Sequence, residues 1–248
     1  MPSVSIVIPN YNENENLQRG VLDQVNEYLK KVDYKWEVLI SDDGSSDGSR
    51  ELAEDFAKKH KGFTVLNNPH GGKAAAVWAG IQKAKKDIVL FTDMDQSTPL
   101  KEIEKLLPWY EEDFDVVFGS RGSKRDASSL RKVMAFSFLT FRRLLLLRPV
   151  VDTQCGFKSF RTKVAKQIFP KLEILTRQKQ AKGWVVSAFD VELLFLAEKA
   201  GYKLKEIKVD WKDRDVSTGK GKNFLTESVD MFKQILRVKK NDLLGKYE

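Results

Sequence analysis

The stretch Asp87-Ile88-Val89-Leu90-Phe91-Thr92-Asp93-Met94-Asp95 decides how this chain is read. Ile88 to Phe91 is a short apolar run of the kind that forms a strand covered on both faces. It delivers Asp93 and Asp95 to the carboxyl end of that strand, and open α/β sheets bind their ligands in the crevice outside such ends. Two acids one residue apart repel each other unless a cation neutralises them. A hard divalent ion, Mg2+ or Mn2+, shared with phosphate oxygens suits them. The stretch therefore predicts a metal-held diphosphate at the rim of a sheet.

Outward from it, strand and helix patterns alternate through the first 120 residues. Strand-like runs cover Val4–Pro9, Trp36–Ser41, Phe63–Leu66, Ile88–Thr92 and Val116–Gly119, and helical patterns cover Glu15–Lys31, Ser49–His60, Lys73–Lys85 and Leu100–Tyr110. That alternation predicts an α/β fold with a mostly parallel sheet flanked by helices. Leu17, Val21, Val25 and Leu29 recur every fourth residue and read as the buried face of the first helix. After Arg121 the rhythm changes. Gly122–Ser129 is polar, Lys132–Leu147 is helical and very apolar, and a short element follows over Asp152–Phe160. Thr176–Gly183 reads as a basic loop, Ala188–Ala200 as a helix stopped by Gly201, and Leu204–Trp211 as a strand. A basic loop, Lys212–Lys222, leads to a last amphipathic helix, Phe224–Lys239. No linker separates these parts, so residues 1–248 read as one domain, with a ligand-binding part (1–121) and an acceptor part (122–248).

The chain has 248 residues, 42% of them hydrophobic, and a net charge of +8. Such a basic surface suits nucleic acid, diphosphates or an acidic membrane. The paired acids at the ligand edge argue against nucleic acid. One cysteine, Cys155, excludes an internal disulfide and a cysteine-held zinc, which fits a reducing compartment. The chain opens directly into the strand Ser3–Ile8, and no run approaches the roughly 18 to 20 apolar residues of a membrane span. A soluble or peripheral protein is expected.

Four segments should converge on one crevice, each at the end of a strand: Pro9-Asn10-Tyr11-Asn12-Glu13, Ser41-Asp42-Asp43-Gly44-Ser45, Asp93 to Pro99, and Gly119-Ser120-Arg121. Asp47 is placed to cap the helix after the second. Each segment alone reads equally well as a turn; all four in order do not. The series Ile-Pro-x-Tyr-Asn-Glu, Asp-Asp-Gly-Ser-x-Asp-Gly, Asp-x-Asp and Gly-Ser-Arg resembles the inverting family-two glycosyltransferases of GT-A (Rossmann-like) fold. Asp152-Thr153-Gln154-Cys155-Gly156-Phe157-Lys158 narrows the resemblance to the polyprenyl-phosphate branch, particularly dolichyl-phosphate β-glucosyltransferases and their bacterial relatives.

The resemblance implies roles. Pro9, Tyr11 and Glu13 would border the base and ribose of a nucleoside diphosphate sugar, and Asp43 would bond the base with Asp42 supporting the turn. Asp93 would meet the ribose or sugar, and Asp95 would bind Mg2+ or Mn2+. Ser97 stands where mannosyl cousins carry Gln as a second metal ligand, so its hydroxyl or a water would take that place. Arg121 and Arg131 would hold phosphates, Gln154 and Asp190 would lie toward the acceptor, and Arg214, Ser217, Lys220 and Lys222 would close over the diphosphate. The expected reaction moves glucose from UDP-glucose to a polyprenyl phosphate with inversion. Mannose from a GDP donor and transfer to a saccharide hydroxyl are the alternatives, and the latter needs Asp190, Glu192 or Asp152 as a base. Asp190 and Glu192 are two apart on a helix, so only one should point at the site.

On the acceptor side, Val133–Leu147 with Arg131, Lys132 and Arg148 reads either as a helix in the membrane interface or as a core helix with snorkelling arginines. Amphipathic interfacial helices would place the protein peripherally on the cytoplasmic face of a membrane, against anionic lipid, and a membrane-protein partner is compatible with that. His70-Gly71-Gly72-Lys73 lacks the spacing of a phosphate loop and the Ser or Thr after its Lys; the resemblance implies a loop beneath the nucleotide that leads into the Lys73–Lys85 helix. His60 reads as surface helix, Cys155 as packed, and Trp78, Trp109 and Trp211 as core or interface aromatics.

Overall fold

The computed structural model describes residues 1–121, 150–176, 189–217 and 224–247. Seven strands are described: β1 (Val4–Asn10), β2 (Trp36–Asp42), β3 (Phe63–Asn67), β4 (Ile88–Phe91), β5 (Val116–Ser120), β6 (Lys158–Arg161) and β7 (Leu204–Lys208). They form one sheet in the order β3-β2-β1-β4-β6-β5-β7. All pairings are parallel except those of β6, which runs antiparallel to both β4 and β5. The expected mostly parallel α/β sheet is thus observed. From β1 the chain moves one way to β2 and β3, then returns to the other side of β1 for β4. The reversal opens a crevice at the carboxyl ends of β1 and β4, where doubly wound folds place ligands.

Side chains alternate across the sheet. Val7, Val89 and Phe91 face a layer built from α4 (Lys73–Lys83), α5 (Thr162–Ile168) and α7 (Phe189–Lys199). Ile6, Ile8, Ile88 and Leu90 face the opposite layer, with α2 (Val21–Leu29) and the 3₁₀ turns Leu100–Lys105 and Leu107–Tyr110. Each fully buried Ile, Leu or Phe contributes about 1.5–3 kcal/mol over an exposed one. Phe91 packs on Phe160, Phe169 and Phe189 with centroids 6.2–6.4 Å apart, which anchors the strand end just before Asp93.

Three expectations are corrected. The helix expected over Glu15–Lys31 is two, α1 (Asn14–Gln18) and α2, because Gly20 takes a left-handed φ of 78° between them. Val21, Val25 and Leu29 are buried as expected, and Leu17 packs half-buried against them. Leu100–Tyr110 is 3₁₀ rather than α-helical, and Pro108 stands within its second turn. The element placed over Asp152–Phe160 is an irregular segment followed by β6. The short helices α5 and α6 (Glu173–Thr176) after it were not anticipated. The last helix, α8, runs from Phe224 to Leu243, and α3 (Ser49–Lys59) and α4 fall where the pattern put them. Among the described residues no helix is long and apolar enough to cross a membrane.

Candidate active site

Two acidic pairs stand at the carboxyl ends of β2 and β4, the strands on either side of β1. Asp42 and Asp43 close β2, and both are buried. Asp42 accepts from the Ser45 N–H at 3.0 Å, which fixes the turn, and from the Asn10 amide at 3.3 Å. Asp43 accepts from the Gly71 and Gly72 N–H groups, each at 2.8 Å, and its Oδ2 lies 2.8 Å from His70 Nδ1. His70 in turn stacks on Tyr11, centroids 4.4 Å apart and nearly coplanar. Asp43 therefore organises the loop before α4, and through His70 it steadies the ring expected to border a base. Asp47 accepts from the Ser49 N–H at 3.0 Å, but the expected cap is corrected: Gly48, left-handed at φ 86°, is the N-cap of α3 and Asp47 braces the turn one residue ahead of it.

Asp93 and Asp95 follow β4 with quite different partners. The Asp93 carboxylate is 39% exposed and lies 2.5 Å from Lys73 Nζ. A Cβ at position 156 would stand 2.0 Å from Asp93 Oδ2, so the glycine there leaves the carboxylate its place and a larger residue would push it aside. Asp95 accepts from the Ser97 N–H at 2.7 Å. Burial and then the Asp93 charge push its carboxyl above the usual range. Gln96, between them and the helix turn, holds a left-handed φ of 51°, a strain tolerated because its side chain bonds Asp93 O and the Leu100 N–H.

A polar chain ties α1 to this notch. Glu13 accepts from Asn16 at 2.7 Å, and the same amide reaches Asp215 at 3.1 Å. Arg19 bonds the Asn16 carbonyl at 3.1 Å and the Asp95 backbone oxygen at 2.7 Å. From the other side, Ser97 receives two backbone N–H groups: Lys212 at its carbonyl, 2.9 Å, and Arg214 at its hydroxyl, 3.0 Å. Ser97 thus stitches the start of the basic loop beside Asp95. Pro9 pairs in register with Ser41 at the end of β1.

Behind the notch, Asp152 holds Arg121 in a two-pronged ion pair, 2.7 and 2.8 Å, and also accepts the Arg121 N–H. Burial pushes the Asp152 carboxyl up, but the guanidinium overrides it and holds it well below the usual carboxylate range. The guanidinium lies over Trp211 at 5.7 Å. Gln154 donates its N–H to Asp152 at 3.0 Å. Lys158, fully buried in β6, donates to Asp190 at 2.6 Å and to the Cys155 carbonyl. Glu192 turns the other way, to Tyr247 at 2.7 Å and the Glu173 N–H at 3.0 Å, so the two acids of the pair have separate partners, as expected from their spacing on a helix. Cys155 is buried and its thiol is pushed up by burial, consistent with packing. Trp78 stacks on Phe169 and Trp109 packs on Phe114, as core-edge aromatics. His60 stacks on Phe56 just past α3 rather than standing free on the surface.

Arg19 escaped sequence reasoning, Lys158 entered it only within the Asp152–Lys158 motif, and His70 and Lys73 entered it as part of a loop with no role of their own. A basic residue opening α4 directly after Gly71-Gly72 was the available signal for Lys73; for the role of Lys158 there was none. Arg131, Lys220, Lys222 and the helix expected over Lys132–Leu147 lie outside the described residues, as does the loop expected over Thr176–Gly183 beyond its first residue.

The residues present fit a divalent ion. Asp93 and Asp95 offer hard oxygens, and position 156 leaves Asp93 its room. No cluster of three metal-binding side chains occurs among the described residues. A site completed by substrate phosphate and water is what two carboxylates support.

The profile of Glycosyl transferase family 2 matches residues 5–169. The dolichyl-phosphate beta-glucosyltransferase of Dictyostelium discoideum is 32% identical over 98% of this chain and 75% of its own length. The Homo sapiens protein of that name is 30% identical over 84% of this chain and 67% of its own. Among solved structures, the Mycobacterium tuberculosis glucosyl-3-phosphoglycerate synthase in complex with Mn2+ and UDP-glucose superposes with a TM-score of 0.62 at 19% identity, covering 99% of this chain and 79% of that one. The Pyrobaculum calidifontis mannosyltransferase in complex with GDP-mannose and Mn2+ gives 0.61 at 19% identity, covering 95% and 64%. Strand-end acids, crevice and profile agree: this chain is a glycosyltransferase and belongs to glycosyl transferase family 2.

Proposed function

We propose that the protein transfers glucose from UDP-glucose to a polyprenyl phosphate of the dolichyl type, giving a β-linked product by inversion at a membrane surface. The observation that carries this reading is the Asp93–Asp95 notch at the carboxyl end of β4, where among the described residues Lys73 pairs with Asp93. The relatives named above support glucose and the lipid phosphate.

A bound Mg2+ or Mn2+ would supply charge stabilisation to the departing diphosphate, held by Asp95 and Asp93. Tyr11, braced by His70 and Asp43, would carry the base, and Glu13 and Pro9 would border the ribose. Arg121, pinned by Asp152, would present its positive charge to a phosphate without reorganising, the condition under which electrostatic catalysis is strongest. An ionised lipid phosphate needs no base to attack; positioning supplies most of the rate. Asp190, Glu192 and Asp152, one of which a hydroxyl acceptor would require as base, are engaged by Lys158, Tyr247 and Arg121 respectively, which favours the phosphate acceptor. Arg214 at the start of the basic loop, with Lys220 and Lys222 further on, would cover the diphosphate. Arg131 and Gln154 would meet the acceptor. Peripheral docking on anionic lipid would bring the acceptor within reach.

The test supplies radiolabelled UDP-glucose or GDP-mannose, a short polyprenyl phosphate, and Mg2+ or Mn2+. Glucose should pass into the organic phase, only with metal, and Asp95→Ala should abolish the transfer. Label that stays in water with the lipid, or moves to a saccharide instead, contradicts the proposal.

A further inference from the structure

Lys73 is a cation already seated where a metal and a diphosphate are both expected. It opens α4, and the two residues before it give their N–H groups to Asp43, so its backbone is fixed to the end of β2. Its side chain crosses to the end of β4 and ends 2.5 Å from Asp93 Oδ1. Both side chains stay over a third exposed, 35% and 39%, so a ligand from solvent reaches the pair. The lysine therefore places a cation in this notch by its ion pair with Asp93.

A divalent ion bound to the same carboxylate repels an ammonium at that distance. Without nucleotide the two compete for Asp93. A diphosphate changes the balance, because its oxygens accept both cations at once. We infer that Lys73 is a resident counter-ion that holds Asp93 in the empty enzyme and passes to the diphosphate when the sugar nucleotide arrives with its metal. This inference rests on the sugar-nucleotide reading above. Lys73 then makes metal and nucleotide binding cooperative: the metal takes Asp93 from the lysine and the diphosphate gives the freed ammonium a partner, and such coupling is reciprocal. It would also keep the acid pair apart from stray metal until a donor is present.

The test is calorimetric titration of wild type, Lys73→Met and Lys73→Arg with Mn2+ alone, UDP alone, and UDP in the presence of Mn2+. Lys73→Met should bind Mn2+ alone about tenfold more tightly and UDP with Mn2+ about tenfold more weakly. Lys73→Arg, which keeps the charge, should recover at least half of the lost UDP affinity on a logarithmic scale. A lysine that only supports the fold cannot move the two affinities in opposite directions, and thermal unfolding of each free variant reads any loss of fold separately. Unchanged or weaker Mn2+ binding in Lys73→Met overturns the inference, as does unchanged UDP binding. If no variant binds UDP at all, the sugar-nucleotide reading falls, and the Mn2+ titration alone still decides whether lysine and metal compete.

Discussion

Asp42-Asp43 and Asp93-x-Asp95 are acids at the ends of strands β2 and β4, on either side of β1, yet they are held in opposite ways. Asp42 and Asp43 are buried, and their oxygens are taken by the backbone N–H groups of Ser45, Gly71 and Gly72 and by His70. Asp93 pairs with Lys73 and stays over a third exposed, and Asp95 accepts the Ser97 N–H with the Asp93 carboxylate beside it. A carboxylate satisfied by amides is a structural anion; one left beside another acid is a seat for a cation. The difference lies in who supplies the donors, not in residue type or position in the βα unit.

The comparison breaks first at Asp95. Asp95→Asn should cut metal-dependent transfer about a thousandfold while leaving thermal unfolding of the free protein nearly unchanged, since it relieves a repulsion rather than a bond network. A variant that loses fold and activity together would place Asp95 with the structural acids. Asp152 sharpens the contrast from the other side. Asp152→Asn should cost about 3 kcal/mol in denaturant unfolding, because it strands the largely buried Arg121 charge. The sign with pH follows: a carboxyl depressed in the folded state stabilises above its unfolded value of about 3.9 and loses that contribution as pH falls toward the folded one. Wild type should thus lose stability more steeply than Asp152→Asn below about pH 4. The smallest of the three effects should come from Asp43→Asn, which opposes an amide to the Gly71 and Gly72 donors and should cost about 2 kcal/mol of stability. It should also weaken UDP binding without altering affinity for Mn2+ alone. Loss of Mn2+ binding in that variant would erase the distinction between the two pairs.

Local signals explain what was legible in the sequence. The strand-end motifs are contiguous, so β1, β2 and β4 and their acids read directly from apolar runs followed by Asp, Asn and Gly. The single antiparallel strand was not legible, because β6 enters between β4 and β5 only through long-range pairing, Phe91 with Lys158 and Phe118 with Lys158. The role of Lys158 went unnoticed for the same reason: its partner Asp190 lies 32 residues away. Lys73 was visible, weighed as a phosphate loop whose spacing it lacks and as part of a loop beneath the nucleotide, but its reach to Asp93 spans two strand ends and leaves no local signal. Gly20 broke a helix whose apolar spacing ran through it, since periodicity records a buried face and not the left-handed turn within it.

The central claim is that the β4 acids bind a cation in order to hold a diphosphate. The most direct measurement is UDP-glucose affinity of wild type and Asp95→Asn, each with and without Mn2+. The account predicts at least tenfold tighter binding with Mn2+ in wild type and no metal effect in Asp95→Asn. Equal affinity with and without Mn2+ in wild type would contradict it.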